Sequence, residues 1–367
     1  MAGLRAFLEK DIPQVADLVW KVLHERVGAS PPELHTYFRE VFFESPWQED
    51  GIVSRVVEDA EGKISAFFGT VARRMNFQGK TIRLAFGSNF VVDPASRASM
   101  SAVQLIRAMM KGPQDISITD SANESSRQML RSLGFTVVPV YSLLWARPLR
   151  PSAYFLQGVA RLKKSGFARV LAKISSPFNA VLDAVTVRLP LTPFQLAEPE
   201  VTSEDLDLET HFQALSRLPK NWLIPEYDRK SLQWMVEFVL KNKSFGKAVR
   251  KIALRDKSGK VIGWYIYHVN PGNIGEVLQV GAESGFVGKV LDHLFYDAWK
   301  QGLIGVQGRL EPQFMEELTR KSCFFLRNGS WTLAHSSRPD LLALVQSGTA
   351  FFSRLDGEWS LRPPQLA

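Results

Sequence analysis

Between residues 89 and 135 the chain twice sets small, polar or basic side chains where a strand gives way to a helix. Val91-Val92 close an apolar strand at Asp93-Pro94, and Arg97-Ala98-Ser99-Met100-Ser101-Ala102 lead into a helical repeat. A cation and a fresh helix N-terminus at the end of a strand meet the physical requirement for a phosphate seat. The first-turn N–H groups lack intrahelical partners, and the helix dipole favours negative charge there. Asn123 opens a second helix that Gly134 closes, a cap at each end. Ser88 and Asn89 are the polar side chains of the strand 84–92. The six histidines (His24, His35, His211, His268, His293 and His335) show no paired ligand spacing, so no metal is expected. The single cysteine, Cys323, excludes an internal disulfide framework and a Cys-based zinc site. Beside Phe324-Phe325 it reads as a core residue.

The elements that hold these residues follow from periodicity. Apolar residues Ala102, Leu105, Ile106 and Met109 share one face of a helix from Ser101 to Met110, and 116–119 is a short strand. Upstream, Asp11 is expected to cap a helix over 12–23 whose stripe is Ile12, Val15, Leu18, Val19, Val22 and Leu23. Pro13 sits in its first turn, where a missing N–H costs nothing. Laid against itself, the chain repeats. Asp59-Ala60-Glu61-Gly62-Lys63 matches Asp256-Lys257-Ser258-Gly259-Lys260, and each run reads as a hairpin turn whose glycine permits positive φ. After each turn the order strand, helix, strand recurs, which argues for one α/β domain in tandem.

With 367 residues, 45% apolar and 22% charged, the chain suits two folded domains. The expected boundaries are 1–150, a basic helical linker at 151–197, and 198–367. The net charge of +8 is concentrated: 151–190 carries six basic residues against one acidic, on helical apolar spacing. A nucleic-acid partner would meet a wider basic face, so nucleic acid is not expected. The segment instead suggests peripheral contact with an anionic membrane surface. No apolar run is long enough to span a bilayer and the N-terminus lacks a signal-peptide core. A cytoplasmic or membrane-peripheral location is expected.

The strand–turn–helix of 89–102 and the Asn123…Gly134-Phe135 segment resemble the acyl-CoA-binding half of the GCN5-related N-acetyltransferase superfamily. The resemblance implies an α/β (α+β) fold, with two tandem domains, each a mixed twisted sheet flanked by helices. It implies acyl-CoA, by default acetyl-CoA, as co-substrate and a small-molecule amine as acceptor. It puts Val91 and Val92 on the strand that pairs with pantetheine, and Arg97, Ala98, Ser99, Met100, Ser101 and Ala102 on the pyrophosphate turn. Asn123 falls on the pantetheine-bonding asparagine. Met100 stands where the family has glycine, and Leu130 where many members have a proton-donating tyrosine, which leaves Tyr141 on the next strand, a water, or no group at all in that place. Many members carry a glutamate base on the strand 84–92; this chain offers Asn89. His24 and His35 lie in the helical region that closes the family's acceptor cleft.

The second copy opens its equivalent turn, Glu283-Ser284-Gly285-Phe286-Val287-Gly288, with a carboxylate that repels phosphate, so a structural or substrate-cleft role is expected for it, while Gly285 and Gly288 keep CoA binding open. The run Leu355-Asp356-Gly357-Glu358-Trp359 is similar to the ending of family members associated with bacterial cell-surface polysaccharide, which implies an amino-sugar acceptor. Two alternatives stay open: a tandem scaffold that has lost catalysis, and a Fem-type aminoacyl transferase using charged tRNA.

Overall fold

Both hairpin turns are built by the aspartate at their start. Asp59 Oδ1 accepts the N–H groups of Glu61 (3.1 Å) and Lys63 (2.8 Å), and Gly62 takes φ +81°. Asp256 Oδ1 accepts those of Ser258 (2.9 Å) and Lys260 (3.1 Å), with Gly259 at φ +84°. The repeat is thus one of atoms as well as letters. The structure, a computed structural model, describes residues 3–96, 100–163, 194–196, 198–242, 246–327 and 329–363. Arg97, Ala98 and Ser99 lie outside the described residues, as do 164–193 of the basic segment. Among the described residues no helix is long and apolar enough to cross a membrane.

The first sheet contains β1 (Gly3–Ala6), β2 (Arg55–Glu58), β3 (Ile64–Phe77), β4 (Lys80–Val92), β5 (Ile116–Ala122) and β6 (Thr136–Val137). The second contains β7 (Leu144–Pro148), β8 (Thr202–Asp205), β10 (Ala248–Arg255), β11 (Val261–Val269), β12 (Ile274–Ala282), β13 (Gly305–Arg309) and β14 (Phe324–Leu326). Two further strands, β9 (Ile224–Pro225) and β15 (Trp331–His335), join the first sheet. Its order is β1-β2-β3-β4-β5-β15-β6, with β9 on β3; the second runs β14-β7-β13-β12-β11-β10-β8. Read from opposite ends the two orders coincide. In each, the strand beside the parallel pair comes from the other half of the chain: β15 in the first sheet, β7 in the second.

The compact units follow the sheets. One is Met1–Ser142, Pro219–Ser244 and Gly329–Ala367; the other is Leu143–Leu218 and Phe245–Asn328. Boundaries near 150 and 198 do not contain this exchange, because short strands such as 144–148 carry no local signal for the sheet they will join.

In the first unit the helices are α1 (Ile12–Leu23), α2 (Pro32–Phe42), α3 (Ser101–Met110) and α4 (Glu124–Ser132). The second adds α5 (Pro151–Lys163) and α6 (Leu208–Ser216). Helix α7 (Arg229–Lys241) returns to the first unit, α8 (Val287–Lys300) and α9 (Met315–Arg320) belong to the second, and α10 (Pro339–Gln346) to the first. Helix α1 buries Ile12, Val15, Leu18 and Val19 as its spacing predicts. Asp11 does not cap it. Its carboxylate instead accepts the Leu8 N–H (2.9 Å) and holds Arg5 at 2.6 Å, anchoring β1.

In the second unit the indole of Trp264 lies over Gly281, near the end of β12, and donates to Gln279 Oε1 at 2.9 Å. The same oxygen takes His211 Nε2 at 2.7 Å. Burial pushes the His211 pKa down to about 4, so the ring is neutral at pH 7 and donates. A Cβ on Gly281 would stand 2.2 Å from the pinned indole. Gly281→Ala is therefore expected to cost roughly 1–3 kcal/mol by overpacking, read as a lower urea midpoint for the second unit.

Candidate functional site

The first sheet opens where β4 and β5 part. They pair in parallel at Leu84↔Ile116, Ala85↔Ser117 and Phe86↔Ile118, and there the ladder ends. Both strands run on, β4 to Val92 and β5 to Ala122. A bulge turns β4 away: Phe67 pairs Val91 and Gly69 pairs Ser88, so Asn89 and Phe90 together face Phe68. Asn89 adopts φ +50°, a left-handed conformation that asparagine tolerates better than most residues. The gap between the strands is a cavity of about 120 Å³, lined among others by Gly87, Asn89, Phe90, Thr119, Asn123 and Glu358.

Glu358 was not singled out as a site residue, and it stands between the two strands. Its Oε1 accepts the Asn89 N–H of β4 at 3.1 Å, and its Oε2 takes the hydroxyl of Ser121 on β5. Its own N–H bonds Asp120 Oδ1 at 3.2 Å. The residue starts the short turn Glu358–Leu361, at the end of a run, 351–361, in which every residue is buried. Asn89 fixes that turn from below: its Nδ2 donates to Tyr37 Oη (2.7 Å), which donates to the Leu361 carbonyl (2.6 Å). Burial, with Asp120 nearby, raises the Glu358 pKa, while the bonds from Ser121 and Asn89 partly offset that shift. A carboxylate so placed takes a proton more readily than an exposed one. The strand that carries no acid of its own thus has one beside it from far along the chain. The one sequence signal was the Leu355-Asp356-Gly357-Glu358-Trp359 run.

Asn123 lines the cavity and caps α4, its side chain accepting the Ser126 N–H at 2.9 Å. Val91 is buried near the end of β4, and Val92 ends it. Ser101 is buried in the first turn of α3, with Ala102 beside it. Met100 precedes that turn without a side-chain cap and is 60% exposed, so its side chain points to solvent and does not crowd the cavity. Tyr141 is elsewhere. It sits in a short turn, not on a strand, and its hydroxyl donates to the Ala350 carbonyl (2.6 Å) and accepts the Ala350 N–H (3.1 Å). A phenol so engaged anchors the C-terminal run and does not line the cavity. His35 bonds Ser30 (2.9 Å) and His24 lies tilted against the Trp20 ring. Among the described residues, no group of three or more His, Cys, Asp or Glu side chains is placed to hold a metal ion.

In the second unit Glu283, at the start of the corresponding turn, pairs with Lys260 and lies 3.9 Å from Arg217. Its charge is met by protein cations.

No protein-family model matches the sequence, and no curated protein does either. Solved structures match over nearly the whole chain. One, from Enterococcus faecalis V583, is a conserved protein of unknown function described as a probable N-acyltransferase; it is 10% identical, with TM-score 0.60, over 92% of this chain and 73% of its own. A GCN5-related N-acetyltransferase from Anabaena variabilis ATCC 29413 is 11% identical, TM-score 0.59, over 91% and 72%. Another from Kribbella flavida is 12% identical, TM-score 0.54, over 91% and 70%. The chain shares the fold of these structures, and its two sheets repeat one strand order.

Proposed function

We infer that the first unit is an acyl-CoA-dependent N-acyltransferase, with an acetyl group as the default cargo and a small-molecule amine as acceptor. The observation that carries the reading is Glu358, a buried carboxylate held between two strands that part beside a cavity. Acyl-CoA supplies an activated acyl group when bound. The parted strand ends at 87–92 and 119–122, Asn123 and the first turn of α3 are the groups suited to hold it, through backbone bonds and the positive end of the helix dipole. An amine attacks only when neutral, so its proton must go to a base. Glu358 is suited to accept it, its raised proton affinity keeping the carboxylate near the working range. The Asn89 N–H and the Ser121 hydroxyl orient that carboxylate.

The similarity of the Leu355–Trp359 run makes amino sugars the first acceptors to try, and the charge of 151–190 supports peripheral membrane contact. Calorimetry with acetyl-CoA is the test. Saturable heat is expected, followed by thiol release when an amine is added. Absence of heat at millimolar acetyl-CoA would sink the reading in favour of a scaffold.

A further inference from the structure

A second buried acid stands beside Glu358. Asp120 lies on β5 between Thr119 and Ser121 and is 6% exposed. Thr119, Ser121 and Ala122 of that strand line the cavity, and Asp120 does not. Side chains alternate across a strand, so the two neighbours of Asp120 share one face and Asp120 takes the other. Adjacent residues nevertheless grip the same partner. The Ser121 hydroxyl donates to Glu358 Oε2, and Asp120 Oδ1 accepts the Glu358 N–H at 3.2 Å. One holds the carboxylate, the other the main chain that carries it.

An aspartate is a costly choice for the second task. An asparagine at 120 would accept the same N–H through its own Oδ1 and bring no charge. Two carboxylates side by side in a buried site repel, and the repulsion is relieved when one of them takes a proton. The group that gains a proton is Glu358, whose pKa burial and Asp120 both raise. Two other titratable groups face that carboxyl. Arg362 acts against Asp120, and the Tyr37 phenol is pushed up by burial and stays neutral. The hydrogen bond thus accounts for an acceptor at 120, and only an effect on the Glu358 proton accounts for its charge.

We propose that Asp120 is a positioning residue for the base: it holds the Glu358 main chain through the N–H, and its charge keeps the neighbouring carboxylate ready to take a proton. Asp120 itself touches neither the cavity nor the substrate. The role deepens the acyltransferase reading and rests on it.

The test compares wild type, Asp120→Asn, Glu358→Gln and the double variant. At about pH 8, above the ordinary glutamate range, Glu358→Gln is expected to raise the urea midpoint, and to raise it less in the Asp120→Asn background, where the repulsion is already gone. In acid, with Glu358 protonated, the two gaps should be equal. With acetyl-CoA and an amine, the rising limb of the rate profile should move to lower pH in Asp120→Asn, while KM for acetyl-CoA stays in place. Asp120→Ala also removes the acceptor for the Glu358 N–H. It should move the limb equally and lose a further several-fold of kcat at its plateau, a loss that the asparagine variant avoids.

Equal gaps in the two backgrounds at about pH 8, or a limb that does not move in folded Asp120→Asn, overturn the proposal. If Asp120→Asn does not fold, Asp120→Ser takes its place, since its hydroxyl can accept without charge. A wild type without turnover counts against the acyltransferase reading instead. The urea midpoints, measured without acyl-CoA or amine, then decide alone whether Asp120 acts on Glu358.

Discussion

Glu358→Gln is expected to lower kcat with acetyl-CoA and an amine by about 10²–10⁴, the range for removing a positioned general base. The glutamine keeps the size; its oxygen can still accept the Asn89 N–H and its amide can donate to the Ser121 hydroxyl, so KM for acetyl-CoA should move little. The wild-type rate should rise with pH as the carboxyl ionises, in a window above the ordinary glutamate range, and that limb should vanish in the variant. Asp120, Tyr37 and Arg362 face the same carboxyl and stay in place in both proteins. Stability should move the other way. A group whose pKa is raised on folding contributes stability that is fully present below its unfolded pKa and lost as pH rises through the folded one. Wild type should therefore lose stability relative to Glu358→Gln from about pH 4.5 upward, and the two should converge in acid. Denaturant unfolding across pH, beside the rate profile, checks both. An unchanged kcat in a folded variant removes Glu358 from the mechanism.

Asn89→Val is expected to be the most damaging exchange at the bulge, costing roughly 2–4 kcal/mol. About 1–3 of this is the strain of a β-branched residue at φ +50°, and about 1 is the lost buried bond to Tyr37. Asn89→Gly separates the two. Glycine accepts the conformation and keeps the N–H that holds Glu358, so only the side-chain bonds go, at about 1 kcal/mol. Urea midpoints should fall in the order wild type, glycine, valine. Activity should follow the fate of the N–H, surviving better in the glycine variant. Equal losses in both would mean that the backbone conformation is not what the asparagine is there to hold.

Much of the fold was legible because its determinants are local. The two aspartate turns, helix α3 and the cap of α4 are each specified within a few residues, and the sequence order after each turn led to a tandem domain. Glu358 was not legible as a base, because it meets Asn89 across 269 residues and nothing near position 89 announces an acid to come. Asp11 and Tyr141 show the opposite error. Each has the right residue type beside the right element, but a long-range partner, Arg5 and Leu8 in one case and Ala350 in the other, takes the polar atoms first. Met100 was legible as a departure from glycine, while its direction, out to solvent, depended on packing that periodicity does not encode.

The exchange of strands between the sheets has a consequence in time. On the ribosome, the first 142 residues emerge with β5 and β6 made but without β15, which separates them in the finished sheet. At usual elongation rates roughly 10–40 s pass before that strand is synthesised. Throughout, β5 offers the nascent chain an unfilled edge of the kind that recruits wrong partners. Glu358 is translated later still. A ribosome that stalls in the second half of the message thus releases a protein without its proposed base, so catalysis waits for translation to pass residue 358.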